Sequence, residues 1–84
     1  MITDNGIKDA LTAQNFHNHS LRTDEAGWAV QTTSQNAYRF EFHVYRSGQI
    51  EVRVMHNVLQ RGQHSLYAAD HVRLSAALTA IAAL

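Results

Sequence analysis

The chain contains no cysteine and no proline. Without thiols it has no disulfide, no thiolate nucleophile and no cysteine ligand for zinc, and this absence mildly favours a reducing compartment. Seven basic and seven acidic side chains balance to a formal charge of zero, so the composition provides no long-range attraction to nucleic acid or to an anionic membrane. No apolar run approaches the ~20 residues of a membrane span, and the N-terminus lacks the pattern of a secretory signal. We therefore expect a soluble cytoplasmic protein with no membrane association.

The length sets the number of domains. Domains typically run from about 50 to 250 residues, so we expect the 84 residues to form a single domain, residues 1–84. A domain of this size buries only roughly 60 to 65% of the surface that its unfolded chain exposes. Burial against a partner would therefore add a substantial fraction of its stability.

The stretch from Tyr38 to Asn57 has the pattern of a β-hairpin. Apolar and polar side chains alternate on both sides of a short Gly48-containing segment. A three-residue loop, 46–48, with Gly48 in the left-handed position of a type I turn with a G1 bulge, pairs apolar residues with apolar residues. The predicted pairs are Val44 with Ile50, Phe42 with Val52 and Phe40 with Val54 on one face, and His43 with Glu51 and Glu41 with Arg53 on the other.

Other segments complete the predicted architecture. Thr3-Asp4-Asn5 can cap a first helix of about three turns, with Ile7, Ala10, Leu11 and Gln14 on one face. The polar, aperiodic stretch from Asn15 to Gly27 is predicted to be a loop. Alternation from Trp28 to Thr33 predicts a strand, joined to the hairpin through Ser34-Gln35-Asn36.

After Leu59, a turn over Gln60 to His64 and a cap at Ser65 predict a helix that runs to the C-terminus. The expected fold is α+β: a single domain in the order α-β-β-β-α, with a three-stranded antiparallel meander and both helices packed on one face.

The last helix has two contrasting faces. At 100° per residue, Tyr67, His71, Leu74, Leu78 and Ile81 form a stripe that we expect to cover the sheet. The opposite face carries the small or apolar residues Ala69, Val72, Ala76, Thr79 and Ala83. These residues either reflect the high helix propensity of alanine or let a second backbone approach closely, as in a homodimer.

Six histidines are numerous for so short a chain, yet none lies in a familiar metal-binding pattern. We expect His43 to form an exposed pair with Glu51, His56 to lie opposite Tyr38, and His71 to lie on the buried stripe. Ser65, Asp70 and His71 do not form a catalytic relay, because neighbouring residues on a helix point about 100° apart. We therefore expect no catalytic residue, no metal, no cofactor and no enzymatic activity.

The outward face of the predicted sheet is the strongest candidate for a binding surface. It combines arginine, tyrosine and methionine, which are enriched at protein interfaces. The predicted partner-binding residues are Arg39, Glu41, His43, Tyr45, Glu51, Arg53 and Met55. This composition favours a protein partner over a nucleic acid.

Two resemblances bear on function. The predicted element order, with a glycine-containing turn leading into an alanine-rich last helix over Gly62 to Leu84, resembles the double-stranded RNA-binding domain. In that family the last helix begins with a lysine cluster that binds RNA phosphates. The corresponding stretch of this chain, Ser65 to His71, contains no lysine. Arg61, His64 and Arg73 would form a weaker phosphate-binding surface. In size and architecture the chain also resembles small phage-encoded inhibitors of bacterial defence, including anti-CRISPR proteins. That resemblance implies a stoichiometric inhibitor of a host defence nuclease complex.

Overall fold

The computed structural model describes residues 1–57 and 68–84, with the backbone alone at 54–57 and 68. The elements are α1 (Asp4–Ala13), β1 (His17–Thr23), β2 (Gly27–Thr33), β3 (Tyr38–Tyr45), β4 (Ile50–Asn57) and α2 (Ala68–Ala82). The strands form one antiparallel sheet in the order β1-β2-β3-β4. The α+β class, with an antiparallel meander between two helices, is confirmed. The predicted turn over Gln60 to His64, the cap at Ser65 and the position of Tyr67 lie outside the described residues.

The sheet has one strand more than predicted, because the expected loop from Asn15 to Gly27 contains β1. This strand lies at one end of the sheet order and is mostly exposed, so its composition is polar. Its pairing with β2 also shifts between His17 and Ser20, where Asn18 has a φ of 56°. The irregularity interrupts the alternation of polar and apolar residues, which hides the strand in the sequence.

The loop of the β3–β4 hairpin has the predicted form. The amide of Gly48 donates to the carbonyl of Tyr45 at 2.9 Å, and the amide of Tyr45 donates to the carbonyl of Gln49 at 2.8 Å. Gly48 has a φ of 94°, in the region that favours glycine. The pairs Val44 with Ile50, His43 with Glu51 and Phe42 with Val52 are confirmed.

Beyond those pairs, the hairpin register differs from the prediction. Phe40 pairs with Met55, Glu41 with Val54, and Arg39 with His56. The predicted pairs of Phe40 with Val54, Glu41 with Arg53 and Tyr38 with His56 are therefore wrong. The cause is a β-bulge in which Arg53 is the additional residue, because one extra residue shifts every later pair by one.

The loop between β2 and β3 repeats the geometry of the β3–β4 loop. The amide of Ser34 donates to the carbonyl of Tyr38 at 2.8 Å, and the amide of Ala37 donates to the carbonyl of Ser34 at 3.0 Å. Ala37 has a φ of 62° and occupies the position that Gly48 takes in the other loop. An alanine side chain is therefore held in a left-handed conformation, which costs roughly 1 to 2 kcal/mol.

Residues of both helices pack on one face of the sheet. Thr3 caps α1 by accepting a hydrogen bond from the amide of Gly6 at 3.0 Å, as the sequence predicts. The buried core joins apolar residues of α1 and α2 to alternating positions of β2 and β3. Its principal members are Ile7, Leu11, Trp28, Val30, Phe40, Phe42, Val44, Leu74, Ala77 and Ile81. No helix in the described part of the chain is long and apolar enough to cross a membrane.

The inner stripe of α2 differs from the prediction at Asp70, His71 and Ala77. Leu74 and Ile81 are buried as expected, but His71 is exposed, and Asp70 and Ala77 are fully buried. The Asp70 carboxylate accepts hydrogen bonds from Ser34 Oγ and Asn36 Nδ2, each at 3.2 Å. These donors come from the β2–β3 loop and satisfy a charge that would otherwise be costly to bury.

Candidate functional site

The face of the sheet opposite the core, here called the outer face, displays polar side chains from all four strands. The strand register aligns Arg22 of β1, Ala29 of β2, His43 of β3 and Glu51 of β4 in one row across the sheet. The next row contains Ser20, Gln31 and Glu41, with Arg53 beside it at the bulge. The remaining members of the outer face are Thr33, Arg39 and Tyr45.

The predicted partner-binding residues lie in different environments on this face. Arg39, Glu51 and Arg53 are exposed, Glu41 and Tyr45 are half-buried, and His43 is only 4% exposed. The side chain of Met55 is outside the described part of the structure. The predicted exposed pair of His43 with Glu51 is correct in register, but the expected exposure of His43 is wrong.

His43 is buried because a turn closes over the sheet beside it. Its Nε2 lies 3.2 Å from Asp24 Oδ2, in the turn between β1 and β2. Its ring contacts Tyr45, with ring centroids 4.5 Å apart. His43 Nδ1 is buried and has no hydrogen-bond partner among the described residues. Buried polar atoms without a hydrogen-bond partner are uncommon in folded proteins, which makes His43 a candidate site residue.

Asp24 organises the β1–β2 turn. Its Oδ1 accepts hydrogen bonds from the amides of Ala26 at 2.9 Å and Gly27 at 2.8 Å. The hydrogen bond with His43, followed by the amide of Gly27, lowers the pKa of the Asp24 carboxyl below its ordinary value of 3.8. Asp24 therefore carries a negative charge at neutral pH, next to His43.

Arg46, in the loop between β3 and β4, holds the same turn in place. Its Nη2 donates to the carbonyl of Asp24 at 3.1 Å and its Nε to the carbonyl of Glu25 at 3.2 Å. The guanidinium also lies over the Trp28 ring, 5.0 Å from the centroid. These contacts hold the turn against the sheet and set the position of the Asp24 carboxylate beside His43.

Side-chain hydrogen bonds connect other outer-face residues. Gln31 Nε2 donates to Glu41 Oε1 at 2.8 Å. Tyr45 Oη donates to Glu51 Oε2 at 3.3 Å, and Arg53 Nε lies 3.4 Å from Glu51 Oε1. Arg53 Nη2 reaches Tyr45 Oη at 3.5 Å, so its contacts are long and weak. The side chain of Arg22, in contrast, has neither a hydrogen bond nor an ion pair with the described residues.

These side chains surround an open depression on the outer face, with a volume of about 340 Å³. Its floor includes Ala29 and His43, while Arg22 from β1 and Arg53 from β4 contribute to its lining from opposite sides. Gln31 and Glu41 also line it. The volume is near the lower limit of ligand pockets and suits one side chain or a small anionic group.

The sequence prediction missed three residues of this site. Ser20, Arg22 and Asp24 all lie in the stretch that was predicted to be a loop. A signal was present, since Ser20 to Thr23 alternates and the turn Asp24 to Gly27 follows directly before the strand at Trp28. Recognising this hairpin would have placed Arg22 on the same face as His43.

The predicted dimer face of α2 lies at the surface. All five residues, Ala69, Val72, Ala76, Thr79 and Ala83, are exposed, and Val72 is 69% exposed. The face is therefore accessible in a single copy of the chain, and dimerisation through it stays a prediction.

Comparison of the chain with protein-family models, with curated proteins and with solved structures gives no match. Within residues 1–57 and 68–84, no group of three or more His, Asp or Glu side chains is positioned to hold a metal ion. The outer face presents arginines, carboxylates, a tyrosine and a buried imidazole. These groups form charged hydrogen bonds and suit noncovalent recognition.

Proposed function

We propose that this protein is a non-enzymatic protein-binding module that contacts its partner through the outer face. The observation that carries the proposal is the location of the helices. Both contribute to the core on the other side of the sheet. Arg39 and Arg53 are therefore exposed, and Tyr45 half-exposed, on the neighbouring strands β3 and β4. Because these side chains project from hydrogen-bonded strands, their ordering on binding costs less than it would on a mobile loop.

In its most specific form, the proposal is a stoichiometric inhibitor that covers a functional surface of its partner, as small phage-encoded anti-defence proteins do. An open, polar face suits such a role, since charge complementarity contributes specificity at an interface. A defence nuclease complex is the partner class that this form of the proposal implies.

Recognition in the manner of a double-stranded RNA-binding domain has less support. The additional strand β1 changes the element order to α-β-β-β-β-α. The stretch that corresponds to the lysine cluster of that family, Ser65 to His71, also contains no lysine.

Affinity capture from a lysate of the source cells tests the proposed function, with mass spectrometry of the retained proteins. We expect the native chain to retain a discrete protein with and without nuclease treatment. Arg39→Glu combined with Arg53→Glu should abolish retention, because both exposed charges are reversed. The same double variant should change the free energy of unfolding by no more than about 0.5 kcal/mol for each site.

Lys8→Glu provides the matched control, since it reverses one exposed charge on α1. This variant should retain the partner as well as the native chain does. Retention that disappears with nuclease would show a nucleic-acid ligand and contradict the proposal. Equal loss of retention in the Lys8→Glu variant would show that binding depends on total charge and not on the outer face.

A further inference from the structure

We infer that the depression on the outer face receives an acidic side chain, Asp or Glu, of the partner protein. The inference rests on the proposed function and names the group that the site recognises. Its first basis is the positive charge of Arg22, which has no ion-pair partner among the described residues. Arg22 is exposed, and its side chain has no hydrogen bond with the described residues either.

The neighbouring acids are already engaged with other groups. Asp24 is two residues away, but its carboxylate accepts bonds from His43 and from two amides of its own turn. Glu51 contacts Arg53 and Tyr45, and Glu41 accepts from Gln31. Arg22 therefore presents its donors to an external acceptor, and a carboxylate matches their fork-shaped geometry.

Arg53 supplies a second cation on the other side of the depression. It is the bulge residue of β4, and its side chain is half exposed. Its Nε lies 3.4 Å from Glu51 Oε1, and its Nη2 lies 3.5 Å from Tyr45 Oη. Contacts of this length are weak, so the guanidinium can turn toward a ligand at little cost. Arg22 and Arg53 thus bracket the depression from two different strands.

His43 supplies a polar atom that the chain itself leaves unsatisfied. The ring lines the depression, and its buried Nδ1 has no hydrogen-bond partner within the described residues. Nε2 donates to the Asp24 carboxylate, so Nδ1 donates to a second carboxylate only when both ring nitrogens carry protons. Because Nδ1 is buried, this contact also requires the residues that cover it to move when the ligand enters. The charged or titratable groups around the ring are Arg22, Asp24, Glu41, Tyr45, Glu51 and Arg53.

The size and openness of the site indicate a side chain of a larger molecule. A volume of about 340 Å³ is enough for one carboxylate-bearing side chain and lies on an accessible sheet face. A partner that presents such a side chain at the centre of its interface would pair it with both arginines. A charged pair in this position sets the register of the complex as well as its affinity.

Nuclear magnetic resonance of the ¹⁵N-labelled protein tests the inference with two peptides as probes. One is acetyl-Glu-Glu-Glu-amide and the other is its glutamine counterpart, which has the same length and no charge. We expect the glutamate peptide to shift the backbone amides of Arg22, His43 and Arg53 and the imidazole nitrogens of His43. The glutamine peptide should leave them unchanged. Equal shifts from both peptides, or shifts confined to other surfaces, would overturn the inference.

Arg22→Gln should weaken binding of the glutamate peptide about fivefold to tenfold, as expected for one charge-assisted contact. Lys8→Gln removes the same charge from α1 and should have no effect. Unchanged affinity in the Arg22→Gln variant would contradict the inference. Inorganic phosphate is the third probe, and tighter binding of phosphate than of the peptide would show that the site is not built for a carboxylate.

The two proposals fail in distinguishable ways. If the peptide does not bind but Arg39→Glu with Arg53→Glu still abolishes partner capture, the inference fails and the proposed function stands. If the peptide binds the depression but partner capture is indifferent to outer-face substitutions, the proposed function fails. Peptide binding together with loss of partner capture in the Arg22→Gln variant supports both.

Discussion

His43 Nε2 and Asp24 Oδ2 lie 3.2 Å apart, joining the third strand to the turn that precedes the second strand. The two residues are 19 positions apart in the chain. Their contact helps to bury the imidazole of His43, which would otherwise be hydrated on the outer face. It therefore couples the shape of the outer face to the ionisation of one carboxyl group.

Asp24→Asn should lower the melting temperature at neutral pH, because it removes the charge that accepts from His43, Ala26 and Gly27. The folded-state pKa of Asp24 lies below 3.8, so the carboxylate contributes its full stabilisation above the unfolded-state pKa. That contribution is lost as the pH falls through the lower folded-state pKa. Thermal unfolding followed by circular dichroism should show a difference between variant and native chain at pH 7 that shrinks below about pH 3.8.

Glu25→Gln is the control for this experiment, since Glu25 is exposed and contributes only its backbone carbonyl to the turn contacts described above. Its melting temperature should follow that of the native chain at every pH. A difference for Asp24→Asn that persists unchanged into strong acid would show that the charge of Asp24 is not the stabilising feature.

His19 should make the protein less stable in mild acid. Its Nε2 lies 3.0 Å from Thr12 Oγ1 and its Nδ1 lies 2.9 Å from Thr32 Oγ1, so the ring bridges α1 and β2. Burial, followed by the nearby charges of His17 and Lys8, lowers the pKa of His19 below 6.5. As the pH falls below 6.5, the unfolded state takes up a proton first, and stability declines until the folded-state pKa is reached.

Urea unfolding at about pH 7.5 and about pH 5 measures this effect. The loss of stability on acidification should be smaller in His19→Gln than in the native chain. His71→Gln, at an exposed position of α2, should leave the loss unchanged. If the two variants respond identically to acid, His19 is not responsible for the decline.

Asp70→Ala should destabilise the protein by about 2 kcal/mol, because it leaves the buried hydroxyl of Ser34 and the half-buried amide of Asn36 without an acceptor. Asp9→Ala, at an exposed position of α1, should change stability by no more than about 0.5 kcal/mol. Chemical denaturation of the two variants measures both values. If both variants lose a similarly small amount of unfolding free energy, the Asp70 carboxylate does not stabilise the fold as expected.

Gly27→Ala should prevent normal folding or cost several kcal/mol. Gly27 has a φ of 152°, and a Cβ atom there would lie 1.9 Å from the carbonyl oxygen of Val44. Because that oxygen belongs to the neighbouring strand, the clash can be relieved only by separating β2 from β3. Gly48→Ala is the control. Its Cβ would meet Ala82 O at 3.9 Å, so the left-handed backbone conformation accounts for most of a loss of about 1 to 2 kcal/mol.

Ala37→Gly should stabilise the protein by up to about 1 kcal/mol. The substitution relieves the left-handed strain of alanine, which is partly offset by the greater freedom of glycine in the unfolded chain. The melting temperature should rise while the partner-binding residues are unaffected. A lower melting temperature would show that the Ala37 methyl group contributes packing that exceeds the strain.

Local patterns were sufficient to predict the hairpin at Tyr38–Asn57 as far as the pair of Phe42 with Val52. The bulge at Arg53 was not predictable in this way, because Val52, Val54 and Met55 are all apolar and either register keeps apolar residues near Phe40. The burial of Asp70 was also hidden. Its position depends on donors from Ser34 and Asn36, more than 30 residues away in the chain.

In the candidate site, too, local patterns predicted some residues, whereas others depend on contacts between distant segments. Arg39, Glu51 and Arg53 were placed on the outer face by period-two alternation, which is a local property of the strand. The burial of His43 depends on the position of Asp24, which is fixed only when β1 and β2 have paired. Arg22 belongs to the site only because its segment forms the strand β1. Contacts between segments distant in sequence therefore account for what single-sequence reasoning missed.

The two bulges have a consequence for the behaviour of the protein at high concentration. β1 and β4 lie at the two ends of the strand order, and each contains a register irregularity, near Asn18 in one and at Arg53 in the other. A second chain that extended the sheet in a regular ladder would need evenly spaced amides and carbonyls along such a strand. The irregularities interrupt that spacing in both strands, and we expect them to disfavour edge-to-edge aggregation into fibrils.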